Sequence, residues 1–218
     1  MKQLIIFCGM YFLSLSLLHA QTYQLKIEQF NLEDTAGNIY ALSNLKGKTV
    51  YVDAWFPSCV PCIKEMPYNK LLQQRLNTMQ LDSNIVFITI CFRQSKEEWL
   101  AALHKIDMPN AIHLYSPAST YETSLTNGIY PSYRLFNNKG LLDTTYATRP
   151  SDFARTDFLL YAVNKDVPIP SALKIFDEDG FALLNNTKQT TQHLLLQSFF
   201  EKFMPYKKTF VDAFLAIK

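Results

Sequence analysis

Two cysteines, Cys59 and Cys62, stand two residues apart in the stretch VDAWFPSCVPCIKEMP, residues 52–67. Such a pair admits three chemistries: a structural disulfide, half of a metal site, or a dithiol that cycles between oxidised and reduced forms. A structural disulfide stabilises chiefly by removing entropy from the unfolded chain, and that contribution grows with the loop it closes. A two-residue loop offers little. A four-cysteine zinc site needs a second CxxC, which the sequence lacks, and His104, His113 and His193 are not spaced as a ligand pair. No metal is therefore expected, and the redox reading is favoured. A cysteine at a helix start faces unpaired N–H groups and the positive end of the helix dipole, which stabilises its thiolate. Cys59 would attack or be attacked, and Cys62, nearly one turn on and deeper, would resolve the mixed disulfide.

That chemistry requires a strand, a short loop and a helix in succession, and the surrounding text supplies them. TVYVDAWF (49–56) is β-branched and aromatic with little alternation, the pattern of a strand buried on both faces. Ile63, Met66, Leu71, Leu72 and Leu76 then recur at helical spacing, with Pro67 expected to kink that helix. NIVFITICF (84–92) reads as a second buried strand. The helix that follows opens on Ser95, with Glu98 completing a capping box. AIHLY is a third strand and 118–127 a short helix ended by Gly128. PSYRLFNNKGLLDTTYA (131–147) reads as a hairpin turning at NNKG, and 151–164 as a helix capped by Ser151 or Asp152. Upstream, residues 23–48 read as short strands joined at DTAGN. Strands and helices in alternation predict an α/β domain with a mixed central sheet flanked by helices.

Pro168 and Pro170 interrupt all periodicity and place a boundary near residue 165. The predicted organisation is a signal segment (1–20), a main domain (21–165) and a mainly helical C-terminal extension (166–218). That extension is expected to comprise a hairpin around DEDG followed by two helices. Lys2, an apolar run of about 15 residues and Ala20 before a plausible cut describe a secretory signal, with an uncleaved anchor as the alternative. Export, to a periplasm, is expected. Removal of the segment takes Cys8 with it and leaves an odd set, Cys59, Cys62 and Cys91, which excludes a disulfide-rich scaffold. Nearly half the residues are apolar and 14% aromatic, which argues against disorder. The net charge is +2 with no block of like charge, so no nucleic-acid partner is indicated.

VDAWFPSCVPCIKEMP resembles the active-site segment of thioredoxin-fold proteins, and CVPC followed by KEMP is similar to the exported TlpA/ResA-type thiol–disulfide oxidoreductases. FNLEDTAGNIYALSNLKGKTVYVDAWF resembles that family's leading segment, and NGIYPSYRLFNNKG the segment that carries its cis-proline. The resemblance runs from about Phe30 to Val163 and implies a thioredoxin-like fold. It implies an activity too: reduction or reshuffling of disulfides in other exported proteins, with a membrane electron donor resetting the dithiol. No dissociable cofactor is needed, because the Cys59–Cys62 pair is itself the redox group. Pro131 matches the cis-proline, and the backbone of Tyr130 would pair with an extended substrate segment.

Asp53, six residues before Cys59 inside an apolar strand, is a buried acid whose raised pKa would let it accept the Cys62 proton. The bland alternative is an Asp bonded to backbone at the sheet edge. Glu65 matches the family's acidic position one turn beyond Cys62, although an exposed helix carboxylate is what its context alone suggests. Ser58 departs from the family, where Trp commonly precedes the first cysteine; it would give the substrate surface a smaller, wetter neighbour. Cys91 reads as an inert buried cysteine, or as a third redox thiol. A different class of function is a non-enzymatic scaffold that docks a partner through the extension while the disulfide stays closed. A peroxidase would need a Thr and Pro ahead of one peroxidatic cysteine, which FPSCVPC does not supply.

Overall fold

In a computed structural model of the chain, residues 25–116, 121–185 and 193–217 are described. The segment read as a secretory signal lies outside them. The leading strands β1 (Asn31–Glu33) and β2 (Ile39–Ala41) are paired antiparallel. Their turn is held by the Asp34 carboxylate, which accepts the backbone N–H groups of Ala36 (2.9 Å) and Asn38 (2.8 Å). Next come β3 (Thr49–Trp55), α1 (Val60–Thr78), β4 (Ile85–Cys91), α2 (Lys96–Lys105) and β5 (Ile112–Tyr115). Helix α1 runs unbroken through Pro67. The Ser95–Glu98 capping box opens α2 as its sequence predicts: the Glu98 N–H donates to Ser95 Oγ (3.2 Å), and the Ser95 N–H donates to the Glu98 carboxylate (3.1 Å). Helix α3 (Glu122–Thr126) closes on Asn127 and Gly128, both at positive φ, and leads into β6 (Ser132–Phe136).

The six strands form one mixed sheet in the order β2-β1-β5-β4-β3-β6. β3 pairs parallel with β4 and antiparallel with β6, and β4 pairs parallel with β5. β3 is buried at all seven positions, because helices cover one face and the N-terminal segment covers the other. Its side chains alternate accordingly. Val50, Val52 and Ala54 join a core with Phe30, Leu42, Ile88, Leu114 and Phe136. Tyr51 faces Leu72 and Leu76 of α1. The hairpin expected after β6 forms around NNKG with a short return limb: the Gly140 N–H donates to the Asn137 carbonyl (2.8 Å), the Asp143 N–H donates to the Leu135 carbonyl (2.9 Å) and Leu142 bridges Phe136, while Leu141 bridges Lys26.

The C-terminal part departs from the prediction. Residues 172–184 are not a hairpin but helix: α5 (Ile169–Ile175), a π-helical turn (Phe176–Gly180) and α6 (Phe181–Leu184). DEDG has turn propensity, but Ile169, Ala172 and Phe176 at helical spacing bury completely in one core, and that burial outweighs the local preference. Gly180 is required at the π turn, where an added Cβ would come within 2.6 Å of the Phe176 ring. Asp177 and Glu178 stay outward while Asp179 is buried with the core, and Asp177 pairs with Arg155 of α4 (Arg155–Val163) through both oxygens, at 2.8 and 2.9 Å. Helices α7 (Leu194–Phe203) and α8 (Lys207–Leu215) follow. Phe199 meets Phe158 of α4 at 5.5 Å, and Phe214 meets Tyr68 of α1 at 5.0 Å. The extension thus shares one core with the sheet domain and braces α1.

A buried ion pair joins α1 to α4. Arg75 donates from Nε (2.7 Å) and Nη2 (2.9 Å) to the two oxygens of Asp157, with both side chains nearly fully buried. Removing one partner leaves the other charge uncompensated, so Arg75→Leu is expected to cost about 3–5 kcal/mol of unfolding free energy in denaturant titration. Arg75→Leu with Asp157→Leu should recover most of that loss; a double variant as unstable as the single one would refute this account.

Candidate active site

At the end of β3 the chain leaves the sheet at Trp55 and turns through Phe56–Ser58, where the Cys59 N–H closes onto the Phe56 carbonyl (2.9 Å). Cys59 is the N-cap of α1, and its sulfur accepts the backbone N–H of Cys62 at 3.2 Å. Pro61 fits the first turn because its missing N–H has no intrahelical partner to lose. Cys59 and Cys62 are joined as a disulfide; Cys59 keeps 5% of its surface exposed and Cys62 none. On reduction, the sulfur left at the mouth is therefore Cys59, beneath the N-terminus of a 19-residue helix. Trp55, Met66, Cys91, Trp99 and Tyr115 pack around the pair. Ser58 is exposed beside it.

β6 brings the second loop to the same place. Ser132 lies opposite Ala54 in the β3–β6 register, so Pro131 falls one step further, level with Trp55. The Tyr130–Pro131 bond is cis. The Tyr130 ring stands edge-on to Phe56, with centroids 5.0 Å apart, and packs against the cluster that holds both cysteines.

Two buried carboxylates flank the CxxC in the chain, Asp53 on β3 and Glu65 on α1, near enough for the charge of Glu65 to act on Asp53. Asp53 is 1% exposed, in the interior of β3 rather than at a sheet edge. One of its oxygens accepts Asn69 Nδ2 at 3.4 Å; the other has no hydrogen-bond partner among the described residues. Burial pushes its pKa up to about 8, the Asn69 hydrogen bond pulls against this, and the nearby Glu65 carboxylate adds to the rise. Glu65 corrects the sequence expectation of an exposed helix carboxylate, since it is only 7% exposed. It accepts the Ser151 hydroxyl (2.7 Å) and backbone N–H (3.1 Å). Burial raises its pKa too, against the Ser151 hydrogen bonds. The same contacts take Ser151 away from capping α4, which begins at Arg155 after Ala154. The tertiary partner wins because a buried carboxylate without donors costs more than a missing cap.

Sequence reasoning missed Asn69 and Ser151. Asn69 is four residues past Glu65 and so shares its helix face, which was a usable signal. Ser151, 86 residues away from Glu65, offered none. Cys91 is fully buried, opposite Trp55 in the β3–β4 register. Burial pushes its thiol up to about 12, with Glu98 adding to the rise, so at neutral pH it is almost wholly protonated and a poor nucleophile.

A mixed sheet, a disulfide at the N-terminus of the helix after its central strand, and a cis-proline beside that strand's end define a thioredoxin-like protein. The chain belongs to the Redoxin family, whose sequence model matches residues 24–140, just over half of its length. It is similar to the thiol-disulfide oxidoreductase ResA of Bacillus subtilis (strain 168), with 54% identity over 39 residues. That match spans 18% of this chain and only 22% of the curated relative's length. Among solved structures, it is similar to the crystal structure of a candidate thiol-disulfide oxidoreductase from Bacteroides vulgatus, with 27% identity and a TM-score of 0.50. That alignment covers 57% of this chain and 84% of the other. A solution structure of a candidate thiol-disulfide oxidoreductase from the same organism aligns at 30% identity and a TM-score of 0.49, over 56% of this chain and 78% of the other.

Proposed function

We propose that this protein is an exported thiol–disulfide oxidoreductase that reduces or reshuffles disulfides in other exported proteins. One observation carries the reading: Cys59 and Cys62 form a disulfide at the N-cap of α1, with Cys59 keeping a sliver of exposed surface and Cys62 none. The Redoxin match and the ResA likeness support the same chemistry. The reduced protein presents the Cys59 thiolate, which attacks a substrate disulfide; a Cys59–substrate bond forms and one substrate sulfur leaves as thiolate. Cys62 then gives its proton to Asp53 in its ionised form, the minor form below about pH 8, and attacks Cys59 Sγ. The second substrate thiolate departs, the Cys59–Cys62 disulfide closes, and the two electrons of the dithiol now reside on the substrate. Glu65, held by Ser151, raises the proton affinity of Asp53 through its own charge.

No dissociable cofactor enters this cycle. Export rests on the N-terminal sequence pattern, and an exported reductase needs a membrane donor to return its dithiol to the reduced state. The docking-scaffold reading is not favoured, because Phe199, Phe200 and Phe203 of the extension are spent on the shared core.

The test is catalysed reduction of insulin by dithiothreitol, together with the equilibrium potential of the Cys59–Cys62 pair against glutathione. Turnover with a potential near the reducing end of the range for such dithiols, about −270 mV, is expected. Absence of turnover would refute the enzymatic reading, and a value near −120 mV would reverse its direction.

A further inference from the structure

Two residues outside the disulfide loop, Arg93 and Glu122, converge on Tyr130. Arg93, in the loop between β4 and α2, adopts a left-handed backbone (φ 60°), a conformation disfavoured for a side chain of its size. Its guanidinium carbon stands 4.8 Å from the centroid of the Tyr130 ring. Its Nε donates to Oε1 of Glu122, the first residue of α3. The Tyr130 hydroxyl donates to that same oxygen at 3.0 Å. Gly128 borders the arrangement, since a Cβ there would lie 3.8 Å from Arg93 Nη2. The far edge of the Tyr130 ring rests on Phe56, in the loop that leads to Cys59. Three otherwise separate loops are thus joined through one aromatic side chain, next to the cis bond.

We propose that Arg93 and Glu122 are positioning residues that clamp Tyr130, fixing the backbone before Pro131 as the edge on which an extended, apolar, cysteine-bearing substrate segment docks. This deepens the proposed function and rests on it. The apolar preference follows from what surrounds the dithiol. Val60, between the cysteines, and Ile129, beside Tyr130, are each 60% exposed, while the charge of Arg93 is already matched by Glu122. Burying unmatched charge against that surface would be costly, whereas apolar side chains flanking the substrate cysteine would be rewarded. Arg93 and Glu122 touch neither cysteine sulfur. They act through Tyr130, so their loss should weaken substrate docking without changing the reactivity of Cys59.

Arg93 is nearly half exposed, so Arg93→Met should leave the fold intact. The kinetics to compare are kcat and KM for reduction of a peptide disulfide with leucine and valine flanking each cysteine. Alongside them, the rate at which the reduced protein attacks the small reagent dithiobis(nitrobenzoate) reports the thiolate itself. The expected result for Arg93→Met is a KM raised about tenfold, with kcat and the reagent rate within about twofold of the parent. Arg93→Lys, which keeps the charge toward Glu122, should restore part of the KM. An unchanged KM in Arg93→Met, or a reagent rate that falls with kcat, would overturn the clamp. A parent protein that attacks the reagent but never turns over the peptide would sink the oxidoreductase reading, and the clamp with it. Normal parent turnover with an unaltered variant KM sinks the clamp alone.

Discussion

Cys59→Ser is expected to abolish disulfide exchange, lowering turnover by at least about 10³-fold, to the uncatalysed background. A serine hydroxyl at the helix start cannot replace the thiolate. Cys62 cannot take over, because it has no exposed surface from which to meet a protein disulfide. Cys62→Ser should fail differently. Cys59 still attacks, no second thiol displaces the product, and a Cys59–substrate adduct accumulates that dithiothreitol releases. Intact-mass spectrometry after mixing each reduced variant with a peptide disulfide separates the two, since only Cys62→Ser should gain the substrate's mass. Turnover that survives in Cys59→Ser would end the assignment. Neither change should greatly alter stability through the lost disulfide, because the loop it closes is so short.

Asp53→Asn should make the oxidised protein more stable at neutral pH and less competent. In the folded protein burial lifts the Asp53 pKa from its ordinary 3.8 to about 8, so the group is protonated in the fold while the unfolded chain has already ionised. Its stabilising contribution is complete below the unfolded pKa, is lost as pH rises from about 4 to about 8, and is flat above that. The slope is roughly 1.4 kcal/mol per pH unit, which amounts to about 4 kcal/mol at pH 7. Asparagine removes this penalty and can still accept from Asn69. Denaturant unfolding at pH 4, 7 and 9 should therefore show almost no difference at pH 4 and a gain of up to a few kcal/mol at the higher values. In single-turnover reduction, the resolving attack by Cys62 should slow by about 10²-fold and lose its inflection near pH 8. A stability difference that does not vary with pH would refute the buried, protonated assignment of Asp53.

Much of the sheet domain was legible because its signals are local. A run buried on both faces, TVYVDAWF, can only be an inner strand, and it is one, with parallel β4 on one side and antiparallel β6 on the other. Ser95 and Glu98 specify a helix start through their own hydrogen bonds. What misled was local preference that burial overrode. DEDG is a fair turn, yet Phe176 and its neighbours fill the core only as a helix. Ser151 is a fair cap, yet Glu65 claims it.

By itself, then, the sequence determined which atoms could do chemistry and roughly where they sit along the chain: two thiols at a strand–helix junction, an acid six residues before them, and a proline at the start of a later strand. Those are matters of residue type and spacing, written within a few turns of backbone. Tertiary structure alone decided which sulfur is reachable, how far Asp53 is lifted above an ordinary carboxylate, that Glu65 is buried rather than exposed, and that Arg93 and Glu122 close on Tyr130. Exposure, proton affinity and long-range contact depend on what packs against a group. No residue carries that information until the sheet, α1 and the extension have come together around it.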